Sequence, residues 1–210
     1  MVTPDAERTM NTFLGITSDF STSEIDESAL KNSEYLFIEG YLVTSETGLA
    51  AMKKAKSLAE DSGVKVSLTF SDPSMVKYFK DQMKDVVGES VDLLFCNEEE
   101  AMLFTDTDTL DDACKSLKSV AKQFVVTLGS KGALVFDGQN YVEIEAFPTT
   151  AIDTNGAGDM FSGVFLYGIT NGHTHEQSGR LASKASSDVV GQYGPRLSKE
   201  HLKDLISQIL

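Results

Sequence analysis

The chain has 210 residues, 41% of them hydrophobic and 24% charged, an ordinary globular composition with length enough for one sizeable core. Eighteen Lys and Arg against 32 Asp and Glu give a formal net charge of -14, which argues against a broad electrostatic footprint for nucleic acid or anionic lipid. Cys96 and Cys114 fit neither a disulfide framework nor a metal-ligand spacing, no h-region follows Met1, and no apolar run approaches the roughly 20 residues that span a bilayer, so the expectation is one soluble domain over 1–210 in a reducing cytoplasm.

In chain order, the first twenty residues carry Val2, Met10, Phe13, Leu14 and Ile16 without a helical period and read as strand and loop. Short apolar runs then alternate with helix-period segments, the pattern of βαβ units and a largely parallel sheet. Strands are expected over 35–43, 64–70, 91–96 and 124–128. Helices are expected over 47–62, closed by Gly63, and over 74–87, closed by Gly88. Residues 133–136 and 141–146 alternate around Asp137-Gly138-Gln139-Asn140 and read as a hairpin. Three helices follow, about 157–169, 175–190 and 199–209, the last with Ser198 as its N-cap. His173 and His175 sit in a polar loop and read as exposed rather than metal-binding.

The stretch Asn155-Gly156-Ala157-Gly158-Asp159 stands directly before the apolar Met160-Phe161-Ser162-Gly163-Val164-Phe165. A helix starting there leaves its first backbone N–H groups without intrahelical partners, and the macrodipole adds partial positive charge. Small side chains let a phosphate approach those amides, while Phe161, Val164 and Phe165 anchor the helix. Asp159 then has a simple task, accepting a proton from an attacking hydroxyl. The plainer alternative is a tight loop followed by an acid in a helix first turn, where acids are favoured. A dinucleotide fingerprint fails because its third glycine position is Phe161, and Gly129-Ser130-Lys131-Gly132 lacks P-loop spacing.

Asp153-Thr154-Asn155-Gly156-Ala157-Gly158-Asp159 resembles the C-terminal signature of the PfkB, or ribokinase-like, family of sugar and nucleoside kinases. Phe95-Cys96-Asn97-Glu98-Glu99-Glu100-Ala101 resembles its N-x-x-E segment, and Val125-Val126-Thr127-Leu128-Gly129-Ser130-Lys131-Gly132 its nucleotide-binding strand and turn. The opening Thr3-Pro4-Asp5-Ala6-Glu7-Arg8-Thr9-Met10 looks like the adenosine-kinase-like branch. The resemblance covers nearly the whole chain and matches the C-terminal two thirds of the family.

The resemblance implies an α/β fold, a doubly wound, mostly parallel sheet with flanking helices, lacking the family's N-terminal strands and most of its lid. It implies transfer of the γ-phosphate of ATP to a hydroxyl of a sugar or nucleoside. Asp159 would be the base, with Gly156, Ala157 and Gly158 as the anion hole. Asn97 and Glu100 would act on Mg²⁺ through water. Thr127, Gly129 and Gly132 would lie by the ATP phosphates and ribose, Ala182 and Ser186 by the adenine, and Arg8 by the substrate. Asp153 would either help hold a monovalent cation such as K⁺, with carbonyls around Val189, Gly194 and Ser198, or cap the loop. Small residues facing a ligand and small residues packing between helices look identical at 182–186. A sheet without its first strands would expose backbone and apolar surface, so a homo-oligomer or an unstable monomer is expected, with no nucleic-acid or membrane partner. The alternative function is a non-catalytic remnant that binds nucleotide or a partner.

Overall fold

The computed structural model describes residues 1–6, 9, 11, 13 and 15–210; Arg8, Met10 and Leu14 lie outside the described residues. The chain divides into two compact units, Phe13–Val126 and Met1–Thr12 with Thr127–Leu210.

In the first unit, Gly15–Asp19 is a 3-10 helix where the pattern gives strand and loop; the Ser18 hydroxyl donates to the Gly15 carbonyl at 2.7 Å and closes the turn. A second such turn, Thr22–Glu24, leads to α1 (Glu27–Lys31), capped by Asp26. The strand expected over 35–43 stops early. β1 is Tyr35–Glu39, and a 3-10 helix, Gly40–Thr44, replaces its second half. The reason is a close approach: a Cβ on Gly40 would stand 2.6 Å from the Phe70 carbonyl oxygen and 2.8 Å from that of Thr69, so only glycine lets the backbone turn there.

α2 (Glu46–Ser62) begins at Ser45, whose Oγ accepts the Gly48 N–H, and ends at Gly63 in the left-handed region (φ 72°). It buries Ala51, Met52, Ala55 and Ala59, a narrow apolar stripe that faces the core. β2 (Lys65–Thr69) pairs parallel with β1, Tyr35 opposite Lys65 and Glu39 opposite Thr69. The helix expected over 74–87 is two, α3 (Pro73–Tyr78) and α4 (Lys80–Val87), broken at Phe79 (φ -127°, ψ 32°). β3 (Val91–Asn97) pairs parallel with β2 and runs into α5 (Glu98–Thr105). The Lys80 ammonium donates to the Leu103 carbonyl and to Asp106 Oδ1, both at 2.6 Å, a tertiary tie at the start of α4 that no local pattern announces. α6 (Leu110–Leu117) and β4 (Ala121–Thr127) complete this part.

The strands follow the order β1-β2-β3-β4. Val66, Leu68, Leu93, Leu94, Val125 and Val126 are all buried, so successive residues are covered on both faces, as in parallel sheets sandwiched by helices. Each fully buried Leu contributes about 1.5–3 kcal/mol from apolar area; truncating Leu68 to Ala would cost about 2–5 kcal/mol.

In the second unit, β5 (Ala133–Phe136) and β6 (Tyr141–Ile144) pair antiparallel, Ala133 opposite Ile144 and Phe136 opposite Tyr141. The turn is held by Asp137, whose Oδ1 accepts the N–H of Gln139 at 2.8 Å and of Asn140 at 2.7 Å. α7 (Ala157–Thr170), α8 (His175–Val190) and α9 (Lys199–Ile209) follow. Thr174 and Gln177 form a capping box at the start of α8, and Ser198 accepts the His201 N–H at the start of α9. α9 covers Leu181 and Ala185 of α8 with Leu205, and Asp188 binds both Lys184 and His201, the latter at 2.8 Å. The N-terminal segment joins this unit: the buried Ala6 offers its carbonyl to the Thr154 N–H (3.2 Å) and hydroxyl (3.1 Å). Among the described residues no helix is long and apolar enough to cross a membrane.

Candidate active site

The N-cap of α7 is Gly156, left-handed at φ 79°, with no side chain capping the helix. A Cβ there would come within 2.5 Å of Pro195 Cβ and 2.7 Å of the Pro195 carbonyl oxygen. Glycine is required both for conformation and for space. The Ala157 N–H reaches back to the Thr154 carbonyl at 3.4 Å, whereas the amides of Gly158 and Asp159 meet no acceptor among the described residues. Open space lies where a Gly158 Cβ would stand, and Asp159 is exposed beside it. Behind this bare front, Phe161 and Phe165 are buried with their rings stacked 6.3 Å apart. Free N–H groups, the positive end of a fourteen-residue helix and an adjacent carboxylate can hold an anion and take up a proton.

The loop leading into α7 is closed on the loop leaving α8. Asp153, buried at 5% exposure, accepts the Asn155 N–H on Oδ1 and the Gly194 N–H on Oδ2, each at 3.0 Å. The Val190 carbonyl accepts the N–H groups of Ile152 (2.7 Å) and Asp153 (3.2 Å), while the Val189 carbonyl accepts that of Gln192. Pro195 and the Gly194 N–H are contributions the sequence reading missed. Gly194 enters there only as a carbonyl donor, and no local signal links residues some forty positions apart.

Thr127 ends β4 and is half-buried. Gly129 (φ 59°) has open space where its Cβ would stand, as a ligand-facing glycine would. Gly132 (φ 95°) is required by the hairpin itself, since a Cβ would lie 1.9 Å from the Ile144 carbonyl oxygen. Ala182 is fully buried, and the Ser186 hydroxyl donates to the Ala157 carbonyl at 3.0 Å. Arg8 lies outside the described residues.

In the other unit, Asn97 and Glu100 cap α5 reciprocally. Asn97 Oδ1 accepts the Glu100 N–H at 2.8 Å, Glu100 Oε2 accepts the Asn97 N–H at 2.9 Å, and Glu100 Oε1 accepts Asn97 Nδ2 at 3.0 Å. Both residues are thus held rigidly at the C-terminal end of a parallel strand, where α/β sheets bind ligands. No group of three or more His, Cys, Asp or Glu that could hold a metal occurs among the described residues. Asn97 and Glu100 would hold a Mg²⁺ ion through water, not in an all-protein cage. Burial pushes the Cys96 thiol well above its usual range and Cys114 up to about 11, so neither offers a thiolate nucleophile.

Parallel βαβ units, a hairpin and a glycine-led helix carrying an acid in its first turn define a ribokinase-like α/β protein. The chain belongs to the pfkB family of carbohydrate kinases, whose profile matches residues 1–202. Its fold superposes on an adenosine kinase from Sinorhizobium meliloti with a TM-score of 0.93 at 31% identity, covering 99% of this chain and 64% of that one. A probable sugar kinase from Rhizobium etli CFN 42 gives 0.93 at 30%, covering 99% and 63%. The chain is 31% identical to a ribokinase from Lactococcus lactis over 183 residues, 84% of this chain and 56% of that protein. It is also 31% identical to a cytidine kinase from Thermococcus kodakarensis over 147 residues, 68% and 52%. The chain therefore spans little more than half the length of these two curated relatives.

Proposed function

We propose that the chain is a phosphotransferase that moves the γ-phosphate of ATP to a hydroxyl of a sugar or nucleoside. The observation that carries this reading is the front of α7: unpaired amides at Gly158 and Asp159, open space at the Gly158 Cα, and an exposed carboxylate on the next residue. Bound Mg-ATP would supply the transferable phosphoryl group. Asp159 takes the proton of the attacking hydroxyl as its oxygen bonds to phosphorus and the bond to the departing ADP oxygen breaks. The amides of Gly158 and Asp159 donate to the phosphoryl oxygens as negative charge is redistributed over them. Asn97 and Glu100 would hold Mg²⁺ through water, and Gly129 would give the nucleotide close access to backbone. The sugar and nucleoside kinases among the relatives support a small hydroxylated substrate, and the acidic charge disfavours nucleic acid.

The test is transfer from ATP with Mg²⁺ to a panel of sugars and nucleosides by the 210-residue chain and its Asp159→Asn and Gly158→Ala variants. General-base loss predicts a fall of about 10²–10⁴ for Asp159→Asn. Gly158→Ala meets no clash in the fold, so lost turnover with unchanged thermal stability would locate the effect at the anion. A second reading, a nucleotide-binding or interaction module without turnover, is favoured by the 52% and 56% coverage of the curated relatives. Folded protein that binds ATP and transfers nothing would establish it. The same proposal carries the homo-oligomer forward; light scattering that returns a single monomeric mass refutes that part alone.

A further inference from the structure

Ser186 and Ala157 sit on neighbouring helices, 29 residues apart in the chain, with the Ser186 hydroxyl 3.0 Å from the Ala157 carbonyl oxygen it donates to. That oxygen and the Gly158 N–H are the two ends of one planar peptide unit. Whatever fixes the oxygen also fixes the direction of the N–H. The Gly158 amide is one of those without an acceptor, and the residue before the helix, Gly156, offers no side chain to steady the first turn.

The helix that presents Ser186 is itself held in register. At the far end of the contact, a Cβ on Gly168 of α7 would stand 2.4 Å from Ser178 Oγ and 3.0 Å from Ser178 Cα of α8, so the two helices are in close contact there. Residues 157 and 168 of α7 are about 16 Å apart at 1.5 Å per residue. Two such points fix both the spacing and the slide of α8 along α7. Ser183 adds a third tie, its hydroxyl donating to the Glu145 carbonyl at 2.8 Å. A hydrogen bond to a peptide oxygen also polarises that peptide and strengthens its N–H as a donor.

We infer that Ser186 is a positioning residue for the anion-binding amides at the start of α7, acting through the Ala157–Gly158 peptide rather than as a wall of the nucleotide pocket. The inference rests on the reading of that helix end as the phosphate cradle. It differs from the expectation that Ser186 faces adenine, and each assignment has its own kinetic signature. A pocket wall changes ATP binding. A positioning residue changes the chemical step, because the misaligned amide matters most as charge develops.

The experiment compares Ser186→Ala, which removes the hydroxyl, with Ser186→Thr, which keeps it, in the whole chain. Amide NMR follows the Gly158 cross-peak without ligand and on titration with inorganic phosphate, and steady-state kinetics gives kcat and KM for ATP. Expected for Ser186→Ala is a moved Gly158 cross-peak, a several-fold weaker response to phosphate, and kcat down roughly tenfold, the equivalent of one oriented hydrogen bond, with KM within about twofold. Ser186→Thr restores all of these. A Gly158 amide unchanged in Ser186→Ala overturns the inference, as does a raised KM with unaltered kcat. If the wild-type chain transfers no phosphate, the kinase reading fails, yet the Gly158 cross-peak and its phosphate response still decide the role of Ser186.

Discussion

Asp153 and Gly194, 41 positions apart, are joined by a 3.0 Å hydrogen bond from the Gly194 N–H to Asp153 Oδ2. With the Asn155 N–H on the other oxygen, one buried carboxylate closes the loop before α7 on the loop after α8. Hydrogen bonds to a charged acceptor are worth about 1.5–3 kcal/mol. Asp153→Ala should lower the unfolding free energy by about 2–4 kcal/mol, read from the urea midpoint, and Asp153→Asn by less, because its amide retains one acceptor. Melting in K⁺ and in choline separates the cation expectation: a K⁺ site at Asp153 raises the wild-type midpoint and leaves that of Asp153→Asn where it was.

Two glycines of the same segment should respond in opposite directions. Gly156→Ala imposes a left-handed conformation on a residue with a Cβ and drives that Cβ to 2.5 Å from Pro195; a loss of at least about 2 kcal/mol is expected. Gly163 lies inside α7 with open space around its Cα. Gly163→Ala should stabilise by about 0.5–1 kcal/mol through helix propensity alone. Thermal denaturation of the two variants checks both signs.

What the sequence discloses here is what is decided locally. Gly63 ends α2, Asp137 makes the hairpin turn, and Ser198 starts α9 because each acts on residues within a few positions of itself. The glycine stretch at 156–158 is legible for the same reason. The stop of β1 at Gly40 depends on carbonyls thirty residues away, and the break at Phe79 accompanies a lysine tie to the end of α5; neither leaves a local mark. At the site, Pro195, Gly194 and the Ser186 contact with Ala157 all come from a helix and loop that only the fold brings to α7. Small residues at 182 and 186 could face a ligand or another helix, and burial and hydrogen bonding at those positions are not written in residue type.

Asn97 and Glu100 allow structure and chemistry to be separated. Asn97→Ala removes the acceptor for the Glu100 N–H and should cost about 1 kcal/mol of stability. Glu100→Gln keeps an oxygen for the Asn97 N–H, since glutamine serves in a capping box as glutamate does, but loses the acceptor for Asn97 Nδ2, so a cost of about 1 kcal/mol, like that of Asn97→Ala, is expected. If Glu100 orients water on the metal, phosphate transfer by Glu100→Gln falls at least about tenfold and the loss is partly offset by raising Mg²⁺. Transfer that tracks stability across both variants would leave the pair a helix cap and nothing more.

His175 gives the fold a defined response to acid. It opens α8 half-buried, its ring 5.8 Å from that of Phe165, and its Nε2 is buried without a partner among the described residues. Burial lowers its pKa below the ordinary 6.5, against a smaller opposing pull from Asp137. A base whose folded pKa is depressed binds its proton more readily in the unfolded chain. Stability is therefore complete above pH 6.5 and declines as the pH falls from there through the folded pKa, with a slope of at most one proton. His175→Leu removes the proton-binding site and leaves an apolar side chain against Phe165. Urea midpoints at pH 7.5 and 5.5 should differ less in His175→Leu than in the wild type. An equal acid shift in the two proteins would overturn the assignment to His175; Asp188, whose pKa is held below the ordinary 3.8 against its burial by Lys184 and His201, stays ionised at both pH values.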